Sequence, residues 1–296
     1  MPYYKPSGKF SYAAVVYFGL MCIAILPLLA LVYSYAIWYI PFVYLNFIVA
    51  AAFGLLTGLA LGYVVIDKGK VRNSGMGILL GLAGGAVALY LHWAIWLDLV
   101  INSGESYGSS RIRITLSNIS LPETLALILS PSAMFELIGL VNESGTWSIR
   151  RRTVSGWMLS AVWVIEAVVV LAMSTFMAWT RAKRPFSETT GKWTEEKELA
   201  PLEFISDETA FKAALAQGNF AALSTLRRAD SPAKEAHSIF TLFHSDADEC
   251  YLSVTNKTPE VSDKGETSFK DNEFIEYLTL DAASGKMLMK FAERSQ

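Results

Sequence analysis

A four-helix transmembrane bundle followed by a soluble α+β domain is the fold class this sequence predicts, and three observations predict it. Four apolar runs, at about 12–36, 42–66, 76–101 and 157–179, each reach the roughly 20 residues needed to cross a hydrocarbon core of about 30 Å. The basic residues beside those runs gather on alternate turns, which is how a multi-pass chain is oriented. Beyond residue 180 the composition changes abruptly: residues 1–180 carry 10 Lys+Arg against 7 Asp+Glu, and residues 181–296 carry 15 against 20. The expected organisation is a bundle over 1–180 with an outer loop at 102–156, a linker at 181–203 and a cytoplasmic α+β domain at 204–296.

The first run follows Lys5 and Lys9, as a signal peptide would, but it is long and has no small-residue cleavage site, so it reads as a retained helix. Pro27 removes one backbone donor inside it. Tyr33, Tyr35, Trp38 and Tyr39 close it with the aromatic belt typical of headgroup level, and Pro41 starts the second run after a turn without charge. Lys68, Lys70 and Arg72 fill the next turn, and Arg181, Lys183 and Arg184 follow the fourth run. These groups and the N-terminal lysines fall on one face, which the positive-inside rule makes cytoplasmic, with Arg150, Arg151 and Arg152 as the dissenting cluster. The reading is a multi-pass protein of the cell inner membrane with both termini cytoplasmic, since no organelle-targeting segment is present.

In the outer loop, Ile112, Ile114 and Leu116 alternate with polar residues over 111–117, the period of a half-buried strand, without an evident partner. Ser130-Pro131 opens a helix carrying Met134, Phe135, Leu137, Ile138 and Val141, and Gly145 stops it. That helix is too short to cross and belongs at the interface or on the bundle. In the tail, residues 185–201 are polar and Glu-rich. A helix capped by Ser206 or Asp207 carries Phe211, Ala214 and Leu215 to Gly218, and a second carries Phe220, Leu223 and Leu226. His237–His244 with Cys250–Thr255, and Phe274–Leu280 with Lys286–Phe291, read as two hairpins.

Gly54, Gly58 and Gly62 in the second run, and Gly77, Gly81 and Gly85 in the third, form stripes at four-residue spacing. Small residues let helix backbones approach closely in lipid, so the two stripes are expected to pack on each other, with homo-oligomerisation as their other use. His92 and Glu166 are the deepest ionisable residues, each nine residues from the outer end of its run, or about 13 Å at 1.5 Å per residue. They are expected to interact across the bundle, as a buried pair that fixes packing or as a proton or ion relay. Asp98 and Asn46 fall near the outer surface.

In the tail His237, His244 and Asp246 are candidate metal ligands, but their spacing matches no standard zinc pattern, and no metal or other cofactor is expected. Cys22 and Cys250 are too few and too distant for a disulfide framework. Glycine-rich phosphate loops, a nucleophile elbow and paired CxxC motifs are all missing, which gives enzymatic chemistry no positive support. The net charge of -2 offers no footprint for nucleic acid. The expected function is a non-enzymatic membrane anchor with a cytoplasmic partner-binding domain, its partners being the bilayer and either another protein or a second copy. The alternative is a small channel or transporter subunit that uses His92 and Glu166.

Overall fold

The computed structural model describes residues 3–40, 43–108, 113–149, 152–219, 221–224, 226–245, 249–261 and 267–293. Pro41, Ile112, Arg150, Arg151, Phe220 and Asp246, singled out above, lie outside the described residues. Two compact units are present, Ser7–Lys183 and Arg184–Gln296 with Met1–Pro6.

The first unit is helical. Its long helices are α1 (Ala13–Tyr39), α2 (Val43–Ala60, continued by a π-helical turn Leu61–Asp67) and α3 (Ser74–Ile101). Then come a hairpin of β1 (Ser103–Gly108) and β2 (Arg113–Ser117), helices α4 (Leu121–Leu129) and α5 (Pro131–Ser144), a hairpin of β3 (Trp147–Ile149) and β4 (Arg152–Val154), and α6 (Trp157–Lys183). Residues apolar on nearly every side make the long helices, and Asn73 caps α3 by accepting from the Met76 N–H at 3.0 Å. Four helices are long and apolar enough to cross a membrane: Ala13–Tyr39, Tyr44–Asp67, Ser74–Ile101 and Trp157–Lys183. Ile23, Leu28 and Val32 on α1, and Val164 and Val168 on α6, point outward and exposed, an apolar belt that water would not tolerate.

The second unit is α+β. After β5 (Phe186–Ser187), β6 (Lys192–Trp193), β7 (Glu195–Glu198) and β8 (Leu202–Glu203) come α7 (Glu208–Ala216) and α8 (Ala221–Ser224). The chain finishes with β9 (His237–His244), β10 (Cys250–Val261), β11 (Thr267–Leu280) and α9 (Ala282–Glu293). The antiparallel sheet runs β11-β10-β9-β7, and β8 pairs with the other end of β9. Leu202, Leu215, Phe240, Leu242, Leu252, Val254, Ile275 and Leu278 make its core. The N-terminal segment joins this unit: Tyr3 bridges Leu278, and the Tyr4 N–H donates to the Tyr277 carbonyl at 2.9 Å.

Three local expectations need correction. Residues 181–203 are not a linker: α6 runs to Lys183, and 186–203 supplies four strands. Glu195, Glu196 and Glu198 are exposed because β7 is an edge strand, while Leu199 and Leu202 are buried. Lys286–Phe291 is helix α9 instead of a strand, because Ser284, Gly285 and Leu288 recur inward at helical spacing, and Asp281 caps the helix by accepting from Ser284 N–H at 2.6 Å. The strand near Arg113–Ser117 does have a partner, in the polar β1 segment that showed no strand pattern.

Candidate functional site

At mid-height of the bundle His92 is buried between α3 and α1, its Nδ1 2.9 Å from Ser34 Oγ. Ser34 Oγ also lies 2.8 Å from the Ala30 carbonyl. A hydroxyl has one proton, so when Ser34 donates it to the Ala30 carbonyl the His92 contact is made by an Nδ1–H, and when it donates to Nδ1 the proton sits on Nε2. The Tyr33 ring lies 4.4 Å from the imidazole and stacks in parallel on Phe53 of α2 at 4.3 Å. Glu166 of α6 is half-buried and within electrostatic range of Tyr33. Among the described residues His92 and Glu166 are not hydrogen-bonded to each other. Matching depth placed both residues near one level, but the partner of His92 is Ser34, and Tyr33 is the group both of them approach. Sequence reasoning passed over Ser34, the one serine in the first apolar run, and placed Tyr33 in a headgroup-level belt, whereas the structure buries it between Phe53 and His92.

The glycine stripes do not pack on one another. Both press on α6, one from each flanking helix. A Cβ on Gly54 would stand 2.7 Å from the Val170 carbonyl, and one on Gly58 2.6 Å from Met177 Cβ and 2.8 Å from the Ser174 carbonyl. From α3, a Cβ on Gly77 would meet Ala182 Cβ at 2.7 Å, on Gly81 Thr175 Cα at 2.5 Å and on Gly85 Ser174 Oγ at 2.5 Å. Gly62, lower on α2, faces the Arg181 side chain at 3.1 Å. The fourth helix is thus clasped by two smooth faces, and Ser174 donates to the Gly81 carbonyl at 3.1 Å across the seam.

Charged residues cluster at the two ends of the bundle. At one, Arg181 Nε donates to Asp67 Oδ1 at 3.0 Å and its Nη2 to Oδ2, and the guanidinium lies 4.4 Å from the Tyr63 ring centre. At the other, fully buried Asp98 accepts from the Ser120 N–H at 2.7 Å, from Thr124 Oγ1 at 3.0 Å and from Asn102 Nδ2 at 3.1 Å. Asp98 thus takes the N–H of the N-cap residue of α4 and anchors that helix start to α3, while Ser120's own side chain makes no capping bond.

In the α+β unit the two candidate ligand histidines cannot share an ion. His237 and His244 stand at opposite ends of β9, seven residues and about 23 Å apart, and an odd spacing puts them on opposite faces. His237 Nδ1 lies 2.9 Å from the Glu235 carbonyl, with its ring against Phe269. No group of three or more metal-ligating side chains occurs among the described residues. The buried polar centre here is Asn256, which donates to the Ile205 carbonyl at 2.9 Å and to Glu208 at 2.8 Å and accepts from Ser238, tying α7 to the sheet. Burial pushes the Cys250 thiol up to about 11, so it is inert at neutral pH.

Neither family models, nor curated protein sequences, nor solved structures yield a match to this chain.

Proposed function

We propose that this protein is a multi-pass anchor of the inner membrane that carries a non-enzymatic, partner-binding α+β domain on the cytoplasmic side, with both ends of the chain on that side. One observation carries the reading: Tyr3 and Tyr4, shortly before α1, are paired to β11 of the α+β fold. A segment before the first span and the domain after the fourth can join one sheet when four crossings return the chain to the face it started from. The basic residues Lys5, Lys9, Lys68, Lys70, Lys183 and Arg184 support the cytoplasmic assignment. Beyond Tyr3 and Tyr4, β11 is an edge strand whose residues 270–273 are exposed, and an exposed sheet edge is a surface on which a partner can add a strand.

The test is purification of the tagged full-length chain in nanodiscs, beside a chain ended at residue 184 and a full-length Lys270→Pro variant that puts a proline into the exposed segment of β11. The reading expects a stoichiometric foreign protein with the full-length chain, lost from the truncated chain and weakened at least tenfold by the proline. Recovery of that protein by all three, or of the chain alone, would overturn it. The rival relay reading has a specific observation too: Glu166 sits in a long apolar helix within electrostatic range of Tyr33, whose ring packs on His92. It requires pH-driven flux in proteoliposomes that Glu166→Gln abolishes, whereas the anchor reading requires the same flux with and without the substitution.

A further inference from the structure

Helices α4 and α5 are bent against each other by 106° at Ser130. Their level relative to the bundle is fixed by bonds to α3. The start of α4 is held by Asp98, three residues from the end of α3, through the Ser120 N–H and Thr124. The end of α4 is held by Tyr90, whose hydroxyl donates to the Ile128 carbonyl at 2.8 Å. Tyr90 precedes Asp98 by eight residues, so α4 runs back along α3 for about 12 Å. Leu127 and Met134, either side of the bend, are buried against Ala94, Trp96 and Leu97. Helix α5 then returns outward: Asn142 Nδ2 donates to the Gly156 carbonyl and to Ser160 Oγ, both at 3.1 Å, at the start of α6. The β1–β2 hairpin stays at the outer end, where Trp38 Nε1 donates to the Thr115 carbonyl at 2.8 Å.

The depth of the bend follows from length. Helix α3 has 28 residues, about 42 Å, and overhangs a hydrocarbon core of about 30 Å by about 6 Å at each end. Tyr90 lies eleven residues from its end, so the Ser130-Pro131 bend falls about 10 Å below the edge of the hydrocarbon. Two features fit that place. Residues 124–135 contain no charge, and Glu123, Glu136 and Glu143 all lie outside that stretch. Leu121, Leu125 and Leu129 form one exposed stripe along α4, with Leu129 at the bend 80% exposed, and Phe135 continues it on α5. The side of α4 that carries Thr124 and Leu127 is the side covered by protein.

We propose that α4–α5 is a re-entrant hairpin, which enters the bilayer from the outer side, turns at Ser130-Pro131 within the hydrocarbon and leaves by the same side, its leucine stripe covered by lipid acyl chains. The apolar stripe continues the lipid-facing belt of the long helices, and although residues 129–133 at the bend are exposed, its backbone groups are paired within the protein: the Leu127 carbonyl accepts from the Ser130 N–H, the Ile128 carbonyl from the Tyr90 hydroxyl and the Ser130 carbonyl from the Met134 N–H. The 102–156 segment is therefore only partly an extramembrane loop.

The test uses the full chain with Cys22→Ala and Cys250→Ala, single cysteines introduced by Leu121→Cys, Leu125→Cys, Leu129→Cys, Leu140→Cys and, as a reference within the bundle belt, Leu28→Cys. Each is spin-labelled in phosphatidylcholine nanodiscs, and its collision with oxygen is compared with that of a water-soluble nickel chelate. The proposal expects the oxygen-to-nickel ratio to rise from Leu121 through Leu125 to Leu129, there reaching within about twofold of the Leu28 site, and to fall again at Leu140. A Leu129 site as open to nickel as Leu121 puts the bend in water and overturns the proposal. A Leu129 label immobilised and shielded from both reagents means that protein covers the stripe, and this overturns it equally. All substituted leucines are exposed, and Leu125→Cys gives an independent reading should Leu129→Cys not fold.

Discussion

Adding a single methyl group to a stripe glycine gives a quantitative handle on the bundle. In Gly58→Ala the new Cβ lies 2.6 Å from Met177 Cβ and 2.8 Å from the Ser174 carbonyl, whereas carbon atoms settle near 3.5–4.0 Å. The obstruction includes backbone, so α2 and α6 must part by close to 1 Å, and such overpacking costs about 1–3 kcal/mol. Against this stands the gain of up to about 1 kcal/mol from replacing glycine by alanine in a helix. The net expectation is a loss of about 1–2 kcal/mol. Gly19→Ala is the matched control: nothing lies within 4 Å of its Cβ, so only the helix-propensity gain remains and the variant is neutral or slightly more stable. Unfolding of nanodisc-extracted protein by sodium dodecyl sulfate, followed through the fluorescence of the packed Trp93, Trp96 and Trp163, measures both. Gly81→Ala, whose Cβ meets Thr175 Cα at 2.5 Å, behaves like Gly58→Ala. The double variant loses less than the sum, because both methyl groups push on the helical turn at Ser174. Equal stability of Gly58→Ala and Gly19→Ala would refute the clasp of α6 between two smooth faces.

Three further outcomes follow from named contacts. Arg181→Gln leaves Asp67 without its bidentate partner in a site only about one-fifth exposed, so it destabilises the bundle by about 1–3 kcal/mol in the same titration, and adding Asp67→Asn recovers part of the loss. Asp281 is held below the usual carboxylate range by the Ser284 N–H and hydroxyl, so its contribution is fully present above about pH 4 and is lost as the pH falls through its folded value. Asp281→Ala therefore lowers the thermal midpoint of the α+β unit by an amount worth about 1 kcal/mol near pH 7 and by much less near pH 3. Cys250, buried and with its thiol pushed up to about 11, reacts with a small maleimide near pH 7 at least a hundredfold more slowly in the native chain than in denaturant.

The four long helices were legible because length and near-continuous apolarity, the requirements for crossing a hydrocarbon core, are written in consecutive residues. Inter-helix partners were not. Gly54 and Gly81 announce close approach, but a stripe cannot name the surface it meets, and both chose α6 because the fourth run, distant in sequence, lies between them. The partner of His92 was hidden for a similar reason: depth ranks residues along the normal, whereas Ser34 and Glu166 differ in azimuth, which no hydropathy pattern encodes. Edge strand β7 escaped because a strand solvated on both faces needs no alternation, and Glu195–Glu198 has none. The α9 segment misled in the opposite sense, since Met287 and Met289 alternate as in a strand, while the fully buried residue is Leu288, between them, and Met289 packs beside it on the same core. Asp98 looked interfacial from its position near a helix end, yet it anchors the start of α4 to α3, a role visible only once Ser120 is brought beside it.

The most direct test of the anchor account is cysteine accessibility in intact cells, with Cys22→Ala and Cys250→Ala as background and the exposed Ser103 of β1 and Lys270 of β11 changed singly to cysteine. The account predicts that a membrane-impermeant maleimide labels Ser103→Cys in intact cells and labels Lys270→Cys only after permeabilisation. Labelling of Lys270→Cys in intact cells, with Ser103→Cys protected, would put the α+β domain outside the cell and contradict the cytoplasmic anchor.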